Sequence, residues 1–187
     1  MFSPEQVERL LSQQSISDYH PWSTKDEHVV DNFYRNVCAD VTHKTTTQSY
    51  IEWDHYGSGY ASYIDAWFYQ PASEFTVNEP LKYGQAHKGL AVLLSRLSPY
   101  FVFMEGEKGW HSQGGSGYLP AYEMVDYLPS TSVTSLANAI QPILEEYGLI
   151  RLFRENLGQP LNTTQQVPTI LTDGPFTEFD ALYHLED

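Results

Sequence analysis

The chain has little cysteine, little basic charge and no long apolar run, and each shortage excludes a class of protein. One of its 187 residues is cysteine, so no internal disulfide can form and a disulfide-stapled scaffold is excluded. Lys and Arg total 10 against 24 Asp and Glu, and the net charge of −14 disfavours nucleic acid and anionic membranes as partners. No stretch reaches the roughly 18 uninterrupted apolar residues that a membrane-spanning helix needs.

The opening segment also lacks the features of an export signal. MFSPEQVERLL has no basic flank and no apolar core, so we expect a cytoplasmic protein. Aromatic residues, in contrast, are plentiful, with 14 Tyr, 9 Phe and 4 Trp, and this content favours a folded core over a disordered chain. The length fits a single domain that spans residues 1–187.

Capping signals and apolar stripes predict four helices. Ser3, Pro4 and Gln6 form a capping box that begins the first helix. A second helix is predicted to begin at a capping box of Thr24 and Glu27 and to run to about Cys38. The apolar run of residues 86–97 predicts a third helix, ended by Pro99.

A fourth helix is predicted between the Ser130–Ser132 caps and Gly148, and Pro142 either kinks it or splits it in two. Residues 149–157 fit a short helix or a strand, and the tail after residue 165 contains two strand-like runs. These later segments leave the fold class unchanged.

Strand signals are strongest in residues 49–69, SYIEWDHYGSGYASYIDAWFY, which predict a hairpin centred on Gly57-Ser58-Gly59 without fixing its register. Residues 70–83 are predicted to form a loop. Tyr100–Met104 predicts a buried strand, followed by a turn at residues 105–109 and a returning strand from Trp110. We therefore expect an α+β fold, an antiparallel sheet with packed helices in a single compact domain.

No strong catalytic motif, phosphate loop or metal-ligand spacing is present, so we predict no cofactor and no metal. Gly114–Gly117 fits a flexible turn better than a phosphate cradle. The spacings His28/Asp31 and Asp54/His55/Asp65 are compatible with metal ligation but not diagnostic of it. A Cys38–His43 thiol nucleophile is a weaker interpretation than a buried structural cysteine.

The positive signal is acid interleaved with aromatic residues, the combination that steers and anchors a basic protein partner. Part of the aromatic set must form the core of a sheet, but the excess acid belongs on the surface. The predicted partner-binding residues are Glu52, Asp54, Tyr56, Asp65, Glu105, Glu107 and Trp110.

The chain resembles bacterial immunity proteins, the antitoxins paired with polymorphic and type VI secreted toxins. The resemblance rests on YIEWDHYGSGYASYIDAWFY followed by AHKGLAVLLSRLSPYF, on the ending TEFDALYHLED, and on the small acidic profile without catalytic motifs. It implies a protein that binds a cognate toxin and occludes its active site. A nuclease with a basic substrate groove is the toxin class that best suits the charge.

Three other interpretations stay open at this point. A small cytosolic hydrolase could use carboxylate pairs and a histidine. A DNA-mimic inhibitor would also be acidic, but it would need acids at phosphate-like spacing. A structural adaptor needs none of these features.

Overall fold

The computed structural model describes residues 2–77, 85–111, 114–163 and 165–187, with backbone alone at 85, 110, 111 and 114–116. Its α-helices are α1 (Pro4–Leu11), α2 (Glu27–Thr45), α3 (Thr131–Glu146), α4 (Arg154–Leu157) and α5 (Glu178–Leu182). Its strands are β1 (Gln48–Glu52), β2 (Tyr60–Ala61), β3 (Tyr63–Tyr69), β4 (Gln85–Ser95), β5 (Tyr100–His111), β6 (Gly114–Ser116), β7 (Ile150–Arg151) and β8 (Leu185–Glu186).

The main sheet runs in the order β1-β3-β4-β5-β6, and β7 also pairs with β5. All of these pairings are antiparallel except the short parallel contact between β5 and β7. Strands β2 and β8 form a separate antiparallel pair. The predicted α+β class, an antiparallel sheet with packed helices, is confirmed.

Each face of the main sheet is covered by helices. On one face, α2 and α3 pack through residues such as Tyr34, Val37 and Ile140 against Ile64 and Phe101 of the sheet. The opposite face is covered by α1, α4, α5 and the C-terminal segment. The sheet is therefore the middle layer of three, and its central strands are buried on both sides.

This double coverage explains why the helix predicted for residues 86–97 is wrong. The segment is the central strand β4, and its alternate residues enter both apolar layers, Leu90 on one face and Leu93 on the other. A strand buried on both faces has a continuous apolar sequence, which periodicity alone cannot distinguish from a buried helix.

The turn predicted at residues 105–109 is also wrong, because β5 continues through it to His111. Gly106 lies directly opposite Gly89 of β4. A Cβ at Gly106 would overlap the ring of Tyr118, and a Cβ at Gly89 would overlap Trp67. Gly106, one of the glycines that suggest a turn, thus leaves the space that the Tyr118 ring occupies.

The hairpin predicted in residues 49–69 is confirmed as the antiparallel pair β1–β3, with Gln48 opposite Tyr69 and Glu52 opposite Asp65. Its connection is longer than a tight turn, since it contains a one-turn 3-10 helix (His55–Gly57) and strand β2. We call residues 53–59 the hairpin loop.

The remaining local predictions have mixed outcomes. Helix α1 has the expected capping box, and α2 continues beyond Cys38 to Thr45. One helix, α3, contains Pro142, so the segment is not split. The predicted loop at 70–83 has a 3-10 turn at Ser73–Phe75, and its residues 78–83 lie outside the described ones.

The tail differs from its prediction in both halves, since no strand is assigned in the described residues 165–176. Its final part forms the short helix α5 and then strand β8, instead of two strands. Of the predicted glycine-rich loop, residues 114–116 form strand β6 and residue 113 lies outside the described residues.

Candidate functional site

The hairpin loop is held in an unusual backbone conformation. Two consecutive non-glycine residues, His55 and Tyr56, have left-handed φ angles of 53° and 56°, and Gly57 follows at 75°. A non-glycine residue costs roughly 1–2 kcal/mol in this region, so surrounding contacts must hold it. Backbone strain of this kind is concentrated at functional sites, and it directs attention to this loop.

Arg96 anchors the loop from the α2 side. Its side chain is 1 % exposed, and its guanidinium donates to the carbonyl oxygens of Trp53 at 2.9 Å, Ala61 at 3.1 Å and Tyr63 at 3.0 Å. Its Nε donates to Oδ1 of Asp31 at 3.1 Å. One buried side chain thus connects the loop, strands β2 and β3, and helix α2.

His55 is fixed by the same network. Its Nδ1 accepts a hydrogen bond from the Ala61 N–H at 2.9 Å and lies 3.1 Å from Nη1 of Arg96. Its Nε2 lies 3.0 Å from Oε1 of Glu27. With Nδ1 accepting, the ring proton belongs on Nε2, where it is donated to Glu27. Both nitrogens are engaged, so this histidine holds the loop and presents no free base.

Asp65 anchors the loop from the other side. Its carboxylate is fully buried and accepts from Tyr56 Oη at 2.8 Å, Tyr118 Oη at 2.7 Å and Lys108 Nζ at 3.1 Å. The Lys108 ammonium also lies 4.7 Å from the centre of the Tyr118 ring. Burial raises the pKa of Tyr56 and of Tyr118 well above the usual range, and the Asp65 charge raises both further. Both phenols are therefore donors at neutral pH.

The predicted partner-binding residues divide between the two faces of the sheet. Glu52, Tyr56 and Asp65 lie on one face, where Oε1 of Glu52 accepts from the backbone N–H groups of Asp54 and Tyr56 at 3.0 and 3.3 Å. Asp54 is exposed in the hairpin loop. Asp65 is buried, so it acts by holding Tyr56 and cannot itself contact a partner.

Glu105 and Glu107 do not join this group. These two residues continue the every-second-residue series of Phe101 and Phe103 along β5, which places them on the opposite, α2–α3 face. Glu105 accepts from the backbone N–H and the hydroxyl of Ser130 at 2.9 and 2.6 Å and so fixes the start of α3. The side chain of Trp110 lies outside those described, although its backbone belongs to β5.

A cavity of about 400 Å³ opens beside the hairpin loop. Tyr60, Asp26, Glu27 and Arg96 are among its lining residues. The rings of Tyr60 and His55 are stacked with centres 5.6 Å apart. Burial raises the pKa of the Tyr60 phenol, and the nearby Glu27 carboxylate raises it further.

Charge is distributed unevenly between interior and surface. Four of the ten basic residues, Lys44, Arg96, Lys108 and Arg151, are paired with carboxylates. Around the hairpin loop, Asp26 and Asp54 are exposed acids, Glu27 is exposed but paired with His55 and Arg96, and Asp187 lies against Gly59. The surface near the loop therefore carries an excess of negative charge.

The residues proposed for catalysis have other roles or surroundings. Burial raises the pKa of the Cys38 thiol to about 12, so the thiolate that a nucleophile needs is strongly disfavoured. In the described part of the chain, no group of three His, Cys, Asp or Glu side chains could hold a metal ion. None of the described helices is long and apolar enough to cross a membrane.

Sequence reasoning missed Arg96, Lys108 and Glu27. Arg96 lies inside the apolar run AVLLSRL, where a charge must find a partner if the run is buried, and that was an available signal. Its partners come from four separate segments, which no local pattern connects.

No family model, curated protein or solved structure matches this chain.

Proposed function

We propose that this chain is an immunity protein that binds and neutralises a cognate toxin through the acidic surface around the hairpin loop. The observation that carries the proposal is the left-handed loop at His55 and Tyr56, held between two buried anchors, Arg96 and Asp65. A loop fixed in advance loses little conformational entropy on binding, so more of the contact energy becomes affinity.

The charge of the surface sets the chemistry of the partner. A net charge of −14, with exposed acids at Asp26, Asp54 and Asp187, attracts a basic protein and speeds its association. Nucleases that act in the cytoplasm have basic substrate grooves and suit this field. The proposed mechanism is occlusion, in which the loop surface covers the groove and excludes the substrate.

The proposal also includes a cytoplasmic location and no enzymatic activity of its own. The hydrolase alternative receives less support, since His55 is engaged at both nitrogens and Glu52 and Glu105 accept hydrogen bonds from backbone N–H groups. These carboxylates are engaged in holding the loop and the start of α3 in place.

The test uses the product of the neighbouring gene as the candidate toxin. The two proteins are co-expressed, cell growth is followed, and the purified toxin is assayed on plasmid DNA and total RNA with and without this chain. Relief of growth arrest and stoichiometric inhibition are expected. Growth arrest that persists, with no complex on size-exclusion chromatography, would overturn the proposal.

A matched pair of charge variants then locates the surface. Asp54→Lys with Asp187→Lys changes the loop surface, and Glu145→Lys with Glu155→Lys makes the same charge change on α3 and α4. Each pair changes the net charge from −14 to −10, since each substitution adds two. Association should slow about tenfold or more for the first pair and much less for the second. Equal slowing would place the interface elsewhere.

A further inference from the structure

Strand β1 is an edge of the main sheet, and its outward backbone groups can be identified. The Leu152 N–H donates to the Phe101 carbonyl, so odd-numbered residues of β5 point their backbone groups away from β4. Successive residues of a strand point their backbone N–H and C=O groups to opposite sides in the plane of the sheet. Following this alternation through the β4–β5, β3–β4 and β1–β3 registers shows that the backbone groups of Gln48, Tyr50 and Glu52 point toward β3. The N–H and C=O groups of Ser49 and Ile51 therefore point away from the sheet.

These outward groups have no partner among the described residues. No hydrogen bond joins the backbone of Ser49 or Ile51 to a segment other than β3. The strand also lacks the usual protection of an edge, since QSYIE contains no Lys or Pro and its register with β3 has no bulge.

The open groups of β1 are self-complementary. In an antiparallel pair of two β1 strands centred on Tyr50, Ser49 of one copy lies opposite Ile51 of the other, and the reverse pair follows by symmetry. Each of these two pairs exchanges two N–H···O bonds, which gives four in total. Glu52 then lies opposite Gln48 of the other copy, so no two like charges are directly opposed.

The local charge also favours this edge in a strongly acidic chain. The groove between β1 and α2 is lined by Arg35, His43, Ser49 and Ile51 among others, and its lining contains no Asp or Glu. Repulsion between the more distant acids of two copies is screened beyond about 8 Å at physiological salt. With no acid in the groove lining and a single acid, Glu52, in β1, a second copy meets little repulsion at this edge.

We propose that two copies of this chain associate through β1, antiparallel about a two-fold axis at Tyr50, so that their main sheets join into one. The interface is isologous, as closed dimers require. It adjoins the hairpin loop, since Trp53 lines the same groove, but it does not depend on the proposed toxin partner.

The test is sedimentation velocity of the full chain over two decades of concentration, with Ser49→Pro as the decisive variant. Proline removes the outward N–H of Ser49 and leaves the bonds to β3 intact, as edge strands tolerate. Two of the four intermolecular bonds are lost, so the dissociation constant should rise about 30-fold. The control Ser49→Ala keeps the N–H and should dimerise like the wild type.

Two further measurements keep the proposal falsifiable if Ser49→Pro folds poorly. Tyr50→Glu places two carboxylates directly opposite each other at the axis and should give a monomer. In the wild type, the backbone amide hydrogens of Ser49 and Ile51 should exchange with solvent more slowly as the protein concentration rises and dimer forms. A wild type that stays monomeric throughout, or a dimer in which these amides exchange freely, would overturn the proposal.

Discussion

The Nζ atom of Lys108 lies 3.1 Å from Oδ2 of Asp65, and the two side chains are only 8 % and 0 % exposed. Two tyrosine hydroxyls donate to the same carboxylate, so the charge of Asp65 is fully surrounded by donors. A buried ion pair of this kind adds little net stability but enforces one arrangement of the groups around it. Here that arrangement fixes Tyr56 and, with it, the middle of the hairpin loop.

Lys108→Met should destabilise the fold by about 3–5 kcal/mol, because it leaves the Asp65 carboxylate buried without its counter-charge. The double variant Asp65→Asn with Lys108→Met removes both charges and should recover most of that loss. Urea unfolding followed by tryptophan fluorescence measures both values. Equal losses in the single and double variants would show that the charges are not coupled.

Arg96→Lys should loosen the hairpin loop, although it keeps the charge. A lysine ammonium has three donors and no planar fork, so it cannot serve Trp53, Ala61, Tyr63 and Asp31 together. We expect a loss of about 2–3 kcal/mol, since buried carbonyl groups lose their partners. Amide exchange in residues 54–61 should accelerate more than exchange in α3, whereas uniform acceleration would indicate general destabilisation.

The contrast between β4 and α1 shows which parts of the fold can be predicted from the sequence. The capping box of α1 is a local signal between Ser3 and Gln6, and it predicted the helix correctly. Strand β4 owes its apolar sequence to layers contributed by distant segments, so its local pattern was misleading. The residues of the candidate site follow the same division, since Tyr56 and Asp65 lie in one predicted hairpin while Arg96 and Lys108 reach it from β4–β5.

Acid should destabilise the protein partly through His184. This side chain is fully buried, and its burial lowers the pKa of the ring below the ordinary value near 6.5. The unfolded chain therefore binds a proton more readily than the folded one. The contribution of neutral His184 to the free energy of unfolding is intact above about pH 6.5. It is lost as the pH falls from there toward the pKa of His184 in the folded protein.

His184→Asn isolates this effect, because its amide can replace the Nδ1–H donor that lies 3.1 Å from the Ala181 carbonyl without titrating. Wild type should lose stability relative to this variant between pH 7 and pH 5, as measured by denaturant unfolding at each pH. Parallel curves for the two proteins would assign the acid sensitivity to other groups.

Thr46→Gly should stabilise the protein, whereas glycine in the interior of a helix or strand usually destabilises it. Thr46 ends α2 with φ 54° and ψ 42°, and its N–H donates to the Thr42 carbonyl. This left-handed cap position suits glycine, whereas a β-branched residue is strained there by roughly 1–2 kcal/mol. Thr46 is exposed, so its side chain contributes little packing that glycine would forfeit. Part of the gain is offset by the greater freedom of glycine in the unfolded chain, and we expect a net stabilisation of about 0.5–1 kcal/mol.

Thr46→Ala, which keeps a Cβ in the strained region, is the control and should gain less stability than Thr46→Gly. Thermal and urea unfolding of the three proteins decide the matter, and a Thr46→Gly variant no more stable than Thr46→Ala would mean that strain at this cap is negligible.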